Sequence, residues 1–177
     1  MERYVHLHVH SQYSILDGQA AIPKLVDKAI KDGMPGMALT DHGNMMGIKE
    51  FYNYVCKIKG KAKDALAEAE KQMSEAQPEE QEKLRKTIEA QQRILAFKPL
   101  FGCEMYVARR GMARKEARED QSGWHLVVIA KNEKGYHNLV KLVSRAWTDG
   151  FYMRPRTDHE ELERYKEGLI VSSACLG

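Results

Sequence analysis

Cysteine is scarce in this chain: among 177 residues only Cys56, Cys103 and Cys175 carry thiols. An odd number at wide spacing excludes the disulfide framework that staples small secreted domains. Long apolar runs are missing as well. The longest aliphatic stretch, LVVIA at 126–130, is far too short to span a bilayer, and the N-terminus lacks the continuous apolar core of a signal peptide. Cytoplasmic residence without a membrane partner is the expectation. Neither sign of charge dominates: the net value of +3 is too weak to argue by itself for nucleic-acid binding. Prolines number only five, and 43% hydrophobic with 30% charged residues is the composition of a soluble globular chain, not a disordered one. The length suits one cored domain.

What the chain does have is histidine in an unusual place. Of seven histidines, His6, His8 and His10 alternate with Val5, Leu7 and Val9 in YVHLHVH. This is the period-two pattern of a strand with one face in a core and the other facing a site. From Ile22, the residues Leu25, Val26, Ala29 and Ile30 recur at helical spacing, with Pro23 in the first turn and Gly33 past the end. MPGMALTDHGN reads as a second buried strand ending at Thr40 to His42. Ile48, Phe51, Tyr52 and Val55 then mark the inner face of another helix. A strand-helix-strand-helix order predicts an α/β fold with a parallel sheet.

Residues 57–98 break that rhythm. The stretch is rich in Ala, Glu, Lys and Gln, carries Ala62, Leu66, Ala69 and Met73 and then Leu84, Ile88 and Leu95 at helical steps, and is divided by Pro78. Two charged helices folded back as an inserted hairpin satisfy both features. The insert is either a solvated decoration or a seam that receives a partner helix. Beyond it, PLFGCEMYVA predicts a third strand, RRGMARKEAREDQSG a mobile charged loop, and WHLVVIA a fourth strand. Tyr136, Leu139, Val140, Val143 and Trp147 define a helix face, Asp158 with Glu161 a capping box, and GLIVSSAC a last strand. Strands are still arriving at Gly177, so truncation inside a single domain over 1–177 is expected.

Functional groups of parallel α/β folds gather at the C-terminal strand ends and the loops after them. His8 and His10 lie at the end of the first strand, Asp17 in the loop after it, and His42 at the end of the second. Glu104 is on the third, His125 begins the fourth, and Cys175 ends the fifth. Imidazole, carboxylate and thiolate together are ligands for zinc, manganese or iron. Alternation aims His8 and His10 into one space, which a metal needs and a core does not. His6, one strand step earlier, suits a supporting role, while His137 and His159 carry no functional signal. Cys56 and Cys103 read as small buried hydrophobes, and Cys175 alone is ambiguous.

HLHVHSQYSILDG, ALTDHGN, GCEMYV, HLVVIAKNEKGYHNLVKLVSRAWTDGFY and GLIVSSACLG resemble the PHP (polymerase and histidinol phosphatase) domain at the N-terminus of bacterial DNA polymerase III alpha subunits. The resemblance covers nearly the whole chain outside the hairpin. It implies the N-terminal part of a distorted (β/α)7 barrel holding up to three divalent ions, zinc or manganese, at its strand ends. It further implies metal ligation by His8, His10, Asp17, His42, Glu104 as a bridging acid, His125 and Cys175, with His8, His10, His42 and Glu104 serving catalysis. The family's last two ligands, an Asp-x-His pair, would lie beyond Gly177. The implied activity is phosphodiester hydrolysis as a 3′-5′ exonuclease within a DNA-directed DNA polymerase, a nucleotidyltransferase of DNA replication. The polymerisation residues would lie in a separate domain, and this fragment alone would be weak or inactive. DNA and other replicase subunits, including a proofreading or clamp subunit, are the implied partners. Two alternatives stay open: a stand-alone phosphatase acting on a small phosphomonoester, and a metal-stabilised scaffold that docks a proofreading subunit.

Overall fold

The structure, a computed structural model, describes residues 4–121 and 123–175. Its elements run α1 (Ile22–Lys31), β1 (Gly36–Leu39), α2 (Ile48–Glu75), α3 (Pro78–Ala96), β2 (Lys98–Ala108), β3 (Gly123–Ala130), α4 (Glu133–Thr148), β4 (Arg156–Thr157), α5 (His159–Tyr165) and β5 (Leu169–Ser173). The fold is mixed α/β, and no helix among the described residues is long and apolar enough to cross a membrane.

The expected parallel sheet is corrected to a mixed one. Its order is β1-β2-β3-β5 with β4 beside β2; β1 and β4 run parallel to β2, whereas β3 is antiparallel to both β2 and β5. Apolar runs such as LVVIA say that a strand is buried and nothing about the direction of its neighbours. One consequence matters for the site. Because β3 alone is reversed, its first residues lie beside the C-terminal ends of β2 and β5.

The N-terminal histidine segment is not a regular strand either. Its carbonyls accept hydrogen bonds from β1 and the residue after it, His6 from Ala38 and then Val9 from Thr40, both at 2.9 Å. A parallel ladder would continue from His6 to His8, so one extra residue is accommodated, as in a bulge. The Thr40 hydroxyl secures the irregular step by accepting the Val9 N–H at 2.8 Å. Leu7 therefore turns out to solvent, and the simple in-out alternation fails there.

Among the described residues three apolar clusters hold the sheet, the third and smallest being Ala38, Val127 and Ile129. Ile22 and Val26 of α1, Leu39 of β1, Phe51 and Val55 of α2 and Phe97 form the first. Cys103 and Met105 of β2, Val128 of β3 and Leu139, Leu142, Val143 and Ala146 of α4 form the second. The expected helix faces hold apart from Tyr52, Val140 and Trp147, which are exposed. Buried positions of α4 follow Leu139, Leu142, Val143 and Ala146, a narrower stripe than the sequence implied. Cys103 is buried as expected, but Cys56 lies exposed on α2, contrary to its reading as a buried hydrophobe.

Residues 57–98 contain the two helical arms with Pro78 at the start of the second, and the arms pack on each other. No break occurs at Lys57: α2 runs unbroken from the core outward. The charged loop after β2 is not loose. The Arg110 guanidinium grips buried Asp120 with two hydrogen bonds of 2.7 and 3.0 Å, closing a single turn of 3-10 helix at Arg118–Asp120. Fully buried Arg156 donates to the carbonyls of Met112, Arg114, Asp120 and Gly150. Ser122, next to last in the segment expected to be mobile, lies outside the described residues. Only half of the capping box forms: Asp158 accepts the Glu161 N–H at 3.0 Å, while the Glu161 carboxylate turns to Arg145 and Arg164.

Candidate metal centre

Glu104 is the centre of the site, and strand alternation puts it there. Cys103 and Met105 point into the cluster beneath α4, so Glu104 and Tyr106 point to the opposite face of β2. Across the antiparallel pair, Tyr106 sits opposite His125. An isolated parallel bridge sets His42 beside Glu104. Gly43 then turns the chain at φ 59°, where a Cβ would meet the Pro155 ring at 2.6 Å. Asp17 arrives on a tight loop at whose end Gly18 approaches so near the Ser11 carbonyl that a Cβ would lie 1.8 Å from its oxygen. Asp41 holds that loop from beneath. Its buried carboxylate accepts from the Ser11 N–H at 2.6 Å and from the Ser11 and Ser14 hydroxyls at 2.8 and 2.7 Å.

Around the fully buried Glu104 carboxylate, one oxygen, Oε2, has His8 Nε2 at 3.1 Å, His10 Nε2 at 2.7 Å and His42 Nδ1 at 2.8 Å. The other, Oε1, has His125 Nδ1 at 2.9 Å and the Cys175 thiol at 3.7 Å. Asp17 Oδ2 lies 2.8 Å from His42 Nε2 and 3.5 Å from His10 Nδ1. Burial alone would push the Glu104 carboxyl up, but the His10 and His8 imidazoles and charge on His42 more than reverse it, to about 2. Its contact with Glu104 raises the His10 pKa against the opposing effect of burial, and His42 holds Asp17 below the usual carboxylate range.

These distances are not all hydrogen bonds. Glu104 Oε2 and His42 Nδ1 are buried without an aligned hydrogen-bond partner, although they face each other. The two atoms repel through their lone pairs unless a positive centre, a proton on His42 or a metal ion, lies between them, and a buried group left unpartnered costs on the order of 1–3 kcal/mol. Ligands about 2.1 Å from one ion stand about 3 Å apart at octahedral and about 3.4 Å apart at tetrahedral angles, so the observed spacings of 2.7–3.7 Å suit a shared cation. Among the described residues three groups of donors have their ligand atoms within 4.8 Å of one another: His8, His10 and Glu104; His10, Asp17 and His42; and Glu104, His125 and Cys175. His10 and Glu104 each belong to two, which makes the set one continuous cluster. The residues present therefore fit divalent metal.

All seven candidate ligands thus converge. His6 stays outside, its ring edge-on to Tyr4, and His137 and His159 are exposed on α4 and α5. Three contributors were not singled out from the sequence. Asp41 was visible as the acid before His42 in TDHGN, and Tyr106 as the residue two beyond Glu104. Arg154, whose guanidinium lies 5.5 Å from the Tyr106 ring centre, left no local signal. Beside the cluster opens a cleft of about 720 Å3, lined by Asp17, His42, Tyr106, His125, Arg109 and Arg154 among others.

A mixed sheet with acid and imidazole donors gathered at one edge defines an α/β domain with a candidate metal site. The PHP domain family matches residues 6–177, and the chain belongs to that family. It is 39% identical over 176 residues to the DNA polymerase III subunit alpha of Borreliella burgdorferi, covering 99% of this chain and 12% of that protein. The same subunit from Chlamydia muridarum is 38% identical over 174 residues, covering 98% of this chain and 11% of its own length. The subunit from Thermus aquaticus is 36% identical over 180 residues, covering 99% and 12%. The chain therefore spans only about an eighth of these relatives.

Proposed function

We propose that this chain is the PHP domain of a replicative DNA polymerase III alpha subunit, and that its donor cluster binds divalent ions and hydrolyses phosphodiesters at a 3′ end. The observation that carries this reading is the convergence of five donors on the two oxygens of one buried, ionised glutamate, Glu104, beside an open cleft. His8, His10, Asp17, His42, Glu104, His125 and Cys175 would hold up to three ions, zinc or manganese, in a complete (β/α)7 barrel. Bound ions of this kind bring the pKa of coordinated water near neutrality and neutralise charge developing on phosphorus.

The chain's own groups prepare that chemistry. Glu104, kept ionised, ties two of the donor groups together, and His10 ties two. Asp41 keeps the loop bearing Asp17 in register. The Tyr106 ring, stacked on His42 with centroids 6.2 Å apart, limits how that imidazole turns. DNA, and replicase subunits such as a proofreading or clamp subunit, are the partners this reading implies. The outer arms of the helical hairpin within residues 57–98 are then an accessory projection of the domain.

The test uses a polymerase chain carrying this domain, with metal content and release of labelled 3′-terminal nucleotide measured together. His8→Ala or His42→Ala should abolish nucleotide release and lower metal content, whereas His137→Ala should change neither. Unchanged release after loss of His8 and His42 would overturn the proposal.

A further inference from the structure

Next to the donor cluster lies a pair of aromatic rings that the core does not use. Trp147 and Phe151 stack with centroids 5.5 Å apart and planes 22° from parallel. They remain 44% and 45% exposed although helix periodicity suggested a buried Trp147. The pair is anchored to the site: the Trp147 indole N–H donates to the Gly43 carbonyl at 2.8 Å, one residue beyond His42. Both rings line the same cleft as His42.

Two cations face this cleft as well. The Arg154 guanidinium lies over Tyr106, and that of Arg109 lies 5.8 Å from the Trp124 ring centre. Among the described residues neither is held in a salt bridge, so both keep donors for an anion. A flat aromatic surface, free guanidinium groups and a donor cluster within one cleft match a ligand that carries a planar base and a phosphate on each unit. A small sugar phosphate would use the cations and leave the rings idle.

Resting on the proposed phosphodiester reading, we infer that Trp147 and Phe151 form a base-stacking subsite for single-stranded polynucleotide, with Arg154 and Arg109 holding the adjoining phosphate. Stacking on an aromatic face is tolerant of base identity, so the subsite distinguishes base-bearing from base-free chain and not one sequence from another.

The test is a binding measurement on the metal-free 177-residue chain, in which no turnover occurs. Octathymidylate and an abasic phosphodiester of equal length are titrated at one fixed salt concentration, followed by intrinsic tryptophan fluorescence and by anisotropy of a dye on the oligomer. The base-bearing oligomer should bind roughly tenfold more tightly and quench tryptophan emission. Phe151→Ala, at an exposed position, should bring its affinity down to that of the abasic chain and leave the abasic affinity unchanged. Trp147→Phe, which keeps a ring, should retain most of the preference. Arg154→Gln should weaken both oligomers alike. Equal affinities in the unmutated chain, an unaltered preference in Phe151→Ala, or no measurable binding would each overturn the subsite. Failure of 3′ release with the base preference intact would overturn the hydrolytic reading instead.

Discussion

Arg156 is the largest fully buried side chain of the described residues, and its guanidinium is spent on four backbone carbonyls from three segments. Shortening it to methionine keeps the apolar stem and strands those carbonyls. Arg156→Met should therefore cost about 3 kcal/mol or more, read from urea denaturation, with faster amide exchange across 112–121. Lysine should rescue little, because one ammonium cannot reach carbonyls spread around a planar fork. Asp120 adds a pH dependence. Its two bonds from Arg110, with the Ala117 and Glu116 N–H groups, hold its carboxyl well below the usual range. A depressed folded-state pKa contributes stability above the unfolded carboxylate pKa of about 3.9, lost as pH falls toward the folded value. Asp120→Asn should thus be less stable at neutral pH, and its urea midpoint should converge with that of the unmutated chain as pH drops below about 4.

The helices of the hairpin belong to two environments. The first turns of α2 bury Phe51 and Val55, while farther out, among the described residues, only Ala62 and Ala69 are buried on that arm and no residue of α3 is. Phe97, immediately after α3, is fully buried in the first apolar cluster, and Lys98 opens the register of β2 against β1. Cutting at 57 and 98 would therefore remove core as well as projection. Replacing only residues 62–92 by a short Gly/Ser loop should leave cooperative thermal unfolding intact. Excision of 57–98 should abolish it, since loss of a buried phenylalanine side chain alone costs about 3–5 kcal/mol. Loss of cooperativity in the shorter excision would show that the outer arms are part of the core.

The site is a property of the whole molecule, because its donors come from four parts of the sheet edge and two loops. Anything that binds only the folded arrangement stabilises it in proportion to the logarithm of ligand over dissociation constant. Zinc or manganese added in large excess over its dissociation constant should raise the thermal midpoint, and chelation should return it to the metal-free value. In Glu104→Gln the increment should shrink sharply, because one neutral amide replaces the carboxylate shared by two donor groups. An equal shift in Glu104→Gln would place metal binding elsewhere.

Local pattern already carried the helices, the buried strands and the candidate donors that the fold brings together. Helical spacing from Ile22 and through α4, alternation around Glu104, and HxH followed by TDHGN depend on residues a few positions apart, where backbone geometry dictates facing. Strand direction, the bulge at His8 and the ordered charged loop were not legible there. Each depends on a partner distant in the chain: β3 takes its direction from β2 and β5, Val9 from Thr40, and the loop from Arg156. The fate of Trp147 was decided in the same way. Its position on α4 suggested core, but a carbonyl at Gly43, 104 residues away, captured its N–H at the cleft. Periodicity records which side of an element is apolar; only packing of the elements decides which neighbour, solvent or ligand that side meets.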